Sequence, residues 1–423
     1  MASFRFLHAA DIHLDSPLKG LTGQDGIAAE RVRCATREAF DRLVSVAIEE
    51  KVSFLIIAGD LYDGDWRDYK TGLFFAAQMG RLNAANIPVY LLHGNHDAES
   101  QITKRLDLPG NVHVFGTHAP ETFRLGELGV ALHGHSFRQR DVTDNLVPHY
   151  PGPVNGAFNI GVLHTACGLG GHENYAPCSL NDLVNKGYDY WALGHVHQAT
   201  VLHERPHVVF PGNLQGRHVR ETGAKGACLV TVSDREVVEF EAMPCDVVRW
   251  AVLPVSLAGA SAMGEVIDRV RDALETAVAN GSEGRLLACR IVLEGRTEVH
   301  AQLVSSGEQL LADARASALG LGDEVAWVEK VTMATEATLN PEALAQREDA
   351  IGELQRMLQD AKSDADLLAQ IEGDIGELVR RLPHEVRTEI EDDVLKSAIA
   401  GDYDTLIRDV APYLSARLIA GEA

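Results

Sequence analysis

No apolar run in the chain approaches the ~20 residues needed to cross a bilayer. The opening segment Met1-Ala2-Ser3-Phe4-Arg5 has no basic region followed by a long apolar stretch and cleavage site. No membrane segment and no export signal are therefore expected, and the expected location is cytoplasmic. Cysteine is sparse: Cys34, Cys167, Cys178, Cys228, Cys245 and Cys289 are scattered, with no spacing that suggests a zinc or redox motif, which predicts reduced thiols. A Gly-x-x-x-x-Gly-Lys-[Ser/Thr] motif is also missing, so any ATP chemistry has to come from a partner. Positive charge is short as well, with 38 Lys and Arg against 61 Asp and Glu and a net charge of −23. Nucleic-acid binding ordinarily needs a basic face that displaces counterions from phosphates, so this balance counts against a DNA substrate. It does not decide the matter, because acidic residues crowd the tail while Arg205, Arg217, Arg220 and Lys225 cluster with His203, His207 and His218. Divalent cations would also invert the local field at a site.

What the chain does contain is the composition of a globular protein, 46% apolar and 23% charged, over 423 residues, enough for two or three domains. Apolar patterning predicts strands at 4–10, 52–58 and 88–93, with helices at 30–49 and 71–85 between them. That alternation predicts a layered α/β domain. Short strands follow at 112–115, 130–134, 158–164 and 188–193, then hairpin strands at 200–203, 208–210, 227–232 and 237–242. A first domain is read as 1–243. Strands at 247–255, 286–293 and 325–333, with helices at 264–279 and 301–318, predict a small α/β domain over 244–336. After Asn340-Pro341 the chain is acidic, with apolar residues at three- and four-residue intervals from Ile351 to Leu382; Pro383 ends that helix. A last amphipathic stretch at 394–418 completes a helical region, 337–423.

The chemistry gathers at the ends of the first-domain strands. Leu55-Ile56-Ile57-Ala58 stops at Gly59 and delivers Asp60, as a buried strand does at the carboxyl edge of a sheet, where open α/β folds place their sites. Asp11-Ile12-His13 follows the first strand, and Gly94-Asn95-His96-Asp97 the third. His164 ends another strand, and Gly194-His195-Val196-His197 follows the next. Each piece alone has a plainer reading: a chance pair, a helix cap, a turn, or a core histidine. Five in order at successive strand ends instead predict a dinuclear metal site. One carboxylate can bridge two cations ~3.5–4 Å apart while imidazoles and an amide oxygen fill the other positions. This donor set suits Mn, Fe, Zn or Ni rather than Ca or Mg. A water shared by two such ions is deprotonated near neutral pH and becomes a nucleophile, while the ions clamp phosphoryl oxygens.

These motifs, over roughly residues 4–243, resemble the full set of the calcineurin-like metallophosphoesterases. Within that superfamily, three stretches resemble the SbcD-like DNA repair exonucleases, particularly the YhaO-like branch. They are Phe6-Leu7-His8-Ala9-Ala10-Asp11-Ile12-His13-Leu14-Asp15-Ser16-Pro17, Gly59-Asp60-Leu61-Tyr62-Asp63 and Pro211-Gly212-Asn213-Leu214-Gln215-Gly216-Arg217. The resemblance implies a four-layer αββα sandwich with a small α/β cap and a helical carboxyl-terminal tail. It implies one metal held by Asp11, His13, Asp60 and His197, and a second by Asp60, Asn95, His164 and His195. Two divalent ions are implied, Mn2+ first. His96 is similar to the family's non-ligand histidine, which stabilises the phosphoryl group and helps protonate the leaving oxygen; Asp63 is favoured to orient it, with Asp97 as the competitor or a helix cap.

Several residues keep two readings. His8 is expected to be packed, and His93 to lie behind the ligands. The loop Gly168–Tyr175 is either a substrate contact or a mobile surface loop. Arg217 and Arg220, with His218 and Lys225, either grip a nucleic-acid backbone or form a solvated basic turn. By resemblance, the activity is a metal-dependent DNA exonuclease and endonuclease acting in repair. In such proteins the helical tail binds the coiled coil of an SMC-like ATPase, and a homodimer is possible. The plainer alternative for the tail is an intramolecular helical pair packed on its own domain. A small-substrate phosphoesterase, such as a nucleotidase, cyclic-nucleotide phosphodiesterase or protein phosphatase, is the alternative and fits the acidic charge. A noncatalytic scaffold is disfavoured by the intact ligand set and His96.

Overall fold

The structure is a computed structural model describing residues 3–16, 27–63, 69–99, 108–169, 175–338, 345–360, 364–382 and 393–403, with 405, 406, 410 and 414. Asn340-Pro341, Pro383, residues 170–174 of the glycine-rich run and parts of the 394–418 stretch lie outside these. Two compact units can be distinguished. The first comprises residues 1–251, 280–288 and 323–325; the second comprises 252–279, 289–322 and 326–423.

In the first unit, strands β1 (Phe4–Ala9), β2 (Phe54–Ala58), β3 (Val89–Leu92) and β4 (Val112–Val114) run parallel. Helices α1 (Ile27–Glu49) and α2 (Tyr69–Ala84) connect the first three, and the short α3 (Asn95–Glu99) follows β3. A second sheet holds β5 (Glu121–Leu125), β6 (Val130–Gly134), β7 (Phe158–His164), β8 (Tyr190–Gly194), β9 (Thr200–Glu204) and β10 (His207–Phe210). Helix α4 (Leu180–Asn185) precedes β8, opened by a reciprocal Ser179–Asp182 capping box. The hairpin β11 (Gly226–Ser233) and β12 (Glu236–Pro244) returns to the first sheet, where β11 lies antiparallel to β1. The sheet orders are β12-β11-β1-β2-β3-β4 and β5-β6-β7-β8-β10-β9.

The period-2 alternation explains the layers. Leu7, Leu55 and Ile57 pack against Phe40, Leu43 and Phe75 of the helices. Phe6, Phe54 and Ile56 point the other way, onto Ile160 and Tyr190 of the opposite sheet. Phe6 and Phe54 stack with ring centroids 5.1 Å apart. Each buried side chain of this size contributes ~1.5–3 kcal/mol. The result is the expected αββα sandwich. Because the parallel strands point one way, their carboxyl ends meet at one edge.

Strand β13 (Val248–Ser256), helix α5 (Met263–Ala277), strand β14 (Leu286–Thr297), helices α6 (His300–Ser305) and α7 (Gly307–Leu319), and strand β15 (Ala326–Ala337) follow, with sheet order β13-β14-β15. The single helix expected at 301–318 is two, parted at Ser306, whose φ of −119° and ψ of 28° leave the α region. The tail holds α8 (Ala350–Asp360), α9 (Ala365–Arg381) and α10 (Asp393–Ala400). Asp364 caps α9 by accepting from Asp366 N and Leu367 N. The continuous stretch expected from 394 breaks after α10, where Asp402 N turns back to Ser397 O. Strand β5 and helix α4 were not legible in the sequence, β5 because its exposed and half-buried residues give no apolar run.

Gly161 lies directly opposite Trp191 in the β7–β8 register. A Cβ there would stand 2.4 Å from the indole ring. Gly161→Ala should therefore cost about 1–3 kcal/mol by overpacking, read by guanidinium unfolding followed at tryptophan fluorescence. A change below about 0.5 kcal/mol would show that the sheet absorbs the methyl group.

Candidate metal centre

All seven residues implied as ligands converge at this edge. Asp11 and His13 leave β1, Asp60 leaves β2, Asn95 opens α3, His164 ends β7, and His195 and His197 follow β8. Backbone hydrogen bonds tie the exits together: Asp11 N to Gly59 O and His13 N to Asp60 O are both 3.0 Å. Four of these residues take up positive φ, with Asp11 at 51°, His13 at 46°, Asp60 at 52° and His195 at 100°. Such backbone costs on the order of 1–3 kcal/mol per residue and persists only where the surroundings enforce it.

Access is built in by glycine. A Cβ on Gly94 would stand 2.2 Å from Asp60 Oδ1 and 2.9 Å from His164 Cε1. One on Gly59, at φ +97°, would stand 2.4 Å from His164 Nδ1. The motifs therefore need glycine beside the carboxylate for close packing, not only to turn the chain.

Asp60 faces imidazoles on two sides. Its Oδ1 accepts from His96 N at 3.0 Å, which leaves Oδ2 facing His164 Nε2 at 3.3 Å and His13 Nε2 at 4.0 Å. Donor atoms of Asp11, His13 and His197 lie within 4.8 Å of one another, as do those of Asp60, His164 and His195. His13, Asp60 and His96 make a third such set.

The donor chemistry fits cations. His164 Nδ1 lies 3.0 Å from Ala58 O and must carry a proton to bond it. In a neutral ring, Nε2 then offers a lone pair toward Asn95 Oδ1 at 3.0 Å and Asp60 Oδ2. His197 Nδ1 donates to Glu221 Oε1 at 2.6 Å, so its Nε2 offers a lone pair toward His13 Nε2 at 3.2 Å. Lone pairs converging in this way require a positive charge between them, and an imidazole backed by a carboxylate or carbonyl is the usual arrangement of a metal-binding histidine. Protonation meets the same need. Against burial, Asp60 and Asp11 raise His164 to about 9. Burial opposes the charge on Asp60, yet His164, His13 and His96 depress its pKa strongly. Burial wins at Asp11, which is raised, and at His13, which is lowered.

His96 differs from the sealed imidazoles of His13 and His164, since its side chain is 32% exposed. Its Nδ1 lies 2.7 Å from Asp63 Oδ1. Burial opposes its charge, but Asp63 and Asp60 prevail and the pKa is raised. Asp97 does not compete for this imidazole. Its buried carboxylate accepts from Leu61 N at 3.1 Å, Tyr62 N at 2.9 Å and Gly94 N at 3.0 Å, stitching two motif loops together.

His8 is packed as expected, between Tyr190 Oη and Leu193 O, each at 3.1 Å. Burial pushes its pKa down to about 3, as a neutral core histidine requires. His93 bonds through its backbone to Ser136 Oγ. Arg217 is placed against Asp63 and Glu221 rather than in open solvent. Arg220 is exposed on the same turn.

Sequence reasoning passed over Glu221, whose only signal was one acid inside a basic run. It also passed over Asp15, which accepts from Arg37 Nε at 2.6 Å and Thr71 Oγ1 at 2.5 Å and so ties the first motif to α1 and α2. The scattered cysteines hide a local contact as well: Thr165, the residue after His164, accepts from Cys167 N at 3.0 Å through its Oγ1, which lies 3.5 Å from Cys178 Sγ.

A two-sheet sandwich with one carboxylate between two imidazole clusters, and a carboxylate-backed histidine beside them, defines a metallophosphoesterase. Comparison with known proteins agrees: the calcineurin-like phosphoesterase family matches residues 4–199, and the middle domain of the metallophosphoesterase YhaO matches 250–336. The chain is 35% identical over 300 residues to the uncharacterized metallophosphoesterase YhaO of Bacillus subtilis, covering 70% of this chain and 72% of that one. It therefore belongs to the YhaO-like family of calcineurin-like metallophosphoesterases. Among solved structures, a dimetal phosphatase from Danio rerio aligns at 12% identity and TM-score 0.35, over 55% of this chain and 93% of its own. A Thermus thermophilus protein aligns at 14% identity and TM-score 0.34, over 57% of this chain and 99% of its own.

If Asp60 bridges two ions, as the resemblance implies, Asp60→Asn should lose both, as read by metal analysis of the purified protein. One ion retained at full occupancy would contradict the bridge. His96→Ala should keep both.

Proposed function

We propose that the chain is a metal-dependent DNA nuclease of the SbcD-like kind, cutting phosphodiester bonds as an exonuclease and endonuclease in repair. The observation that carries the ester chemistry is the His96–Asp63 pair standing beside the shared Asp60. Two divalent cations, Mn2+ first, would be held by Asp11, His13, Asp60 and His197 and by Asp60, Asn95, His164 and His195; bound, they supply Lewis acidity and lower the pKa of water. His96 does the remaining proton work. Asp63 fixes its Nδ1–H, which leaves Nε2 to reach a phosphoryl oxygen or the leaving oxygen. The adjoining Asp63 carboxylate favours the protonated ring.

The order of the chain supports DNA over a small ester. A phosphoesterase region (1–243), an α/β region (244–336) and a helical region (337–423) follow one another. Met357, Leu367, Leu378 and Val394 expose apolar surface on the tail helices, which supports docking of an SMC-like ATPase subunit. Arg220 would meet the DNA backbone. A homodimer and a cytoplasmic setting go with this reading. The net charge of −23 favours the alternative, a small-substrate phosphoesterase.

Purified protein with Mn2+ should be offered linear duplex DNA, single-stranded DNA, a cyclic nucleotide and p-nitrophenyl phosphate. We expect Mn2+-dependent DNA cleavage that falls about 10²–10⁴-fold in His96→Ala. Turnover of small esters with no DNA cut, with or without an ATPase partner, would replace the nuclease by the small-substrate reading.

A further inference from the structure

We propose that Arg217 is a positioning residue that holds the two carboxylates behind His96 and His197 in place, rather than a ligand of the substrate phosphate. The proposal rests on the phosphoesterase reading and adds one link to it. Arg217 Nη1 lies 3.5 Å from Asp63 Oδ2 and 3.3 Å from Ser16 Oγ, while Nη2 lies 3.5 Å from Glu221 Oε1. Asp63 Oδ1 accepts from His96 Nδ1, and Glu221 Oε1 accepts from His197 Nδ1. One guanidinium thus joins a chain, His96–Asp63–Arg217–Glu221–His197, running from the proton-bearing imidazole to an imidazole of the ligand cluster.

Three observations separate this role from phosphate binding. First, the guanidinium charge is already met: carboxylates flank it on two sides, so an incoming phosphate would face a trio with net negative charge. Second, access is poor: the side chain is only 16% exposed. Third, Glu221 is built in rather than recruited. It is 7% exposed, and its Oε2 accepts from Arg217 N at 2.7 Å and Asn213 Nδ2 at 2.9 Å. A carboxylate fixed on three sides can set the tautomer and direction of His197, as outer-shell partners of metal-binding histidines do. The planar fork of arginine suits this work, whereas a lysine supplies only a point charge.

The test compares the full-length protein with Arg217→Gln, Arg217→Lys, Glu221→Gln and the Arg217→Gln/Glu221→Gln double variant. Mn2+ affinity is read by titration calorimetry, and steady-state kinetics on bis(p-nitrophenyl) phosphate. Arg217→Gln should lower kcat ~10–100-fold, leave KM within about twofold, and weaken Mn2+ binding about tenfold. Glu221→Gln should weaken Mn2+ similarly, with the double variant falling short of the product of the single losses, as residues of one network do. Arg217→Lys should recover part of the loss. A KM raised tenfold or more at unchanged kcat and unchanged Mn2+ affinity would make Arg217 a phosphate ligand and overturn the proposal. Unaltered Mn2+ affinity in both single glutamine variants would also overturn it. Should Arg217→Gln fail to fold by circular dichroism, Glu221→Gln and Arg217→Lys carry the comparison. A wild-type protein that neither binds Mn2+ nor hydrolyses the diester would sink the phosphoesterase reading itself, before any variant is made.

Discussion

Asp11 and Asp60 each lie about 1% exposed at the junction of two sheets, where water cannot screen them. A buried carboxylate is costly unless a positive charge and hydrogen bonds meet it. The rest of the edge answers that demand. Backbone N–H groups of His195 and His96 bond Asp11 and Asp60, and the imidazoles of His13, His164 and His197 turn toward the same space. Positive-φ backbone at Asp11, His13, Asp60 and His195 becomes tolerable because it aims these groups inward, with the sandwich core on both sides holding the loops in place.

Around this centre, carboxylates of similar chemistry take different work according to their neighbours. Asp97 faces backbone amides and spends its oxygens fastening loops; with burial and the nearby Asp60 charge, its pKa rises to about 7. Asp63 faces an imidazole and a serine, and although burial opposes it, its pKa is strongly lowered by His96 and His13. Glu221 is likewise lowered against its burial by His197 and Arg217. The Asp97 carboxylate, held by backbone amides of two loops, fastens them together, whereas Asp63 and Glu221, each bonded to an imidazole, direct a proton or a lone pair.

The sequence made much of this legible. Parallel strands buried on both faces read as continuous apolar runs, so β2 and β7 stood out, and the polar residue at each end was conspicuous. The pairing of Asp63 with His96 followed from family spacing and agrees with the 2.7 Å contact. Less was visible where contacts come from afar. Glu221 lies 24 residues beyond His197, and nothing local announces their hydrogen bond. Arg217 looked like part of a basic surface because its two acidic neighbours are distant or hidden in sequence. Strand β5 escaped because a half-exposed edge strand lacks the apolar run that marks a buried one.

By itself, then, the sequence determined the layered α/β architecture and the five strand-end motifs, since each depends on local periodicity and on residue types at fixed short spacings; the phosphoesterase class came from the family resemblance that those motifs carry. Only the tertiary structure decided which oxygen of Asp60 faces both imidazole groups, that Asp97 serves the backbone, and that Arg217 stands between two carboxylates. Those outcomes depend on distances between residues far apart in the chain, which are set when the two sheets pack and bring their carboxyl ends to one edge.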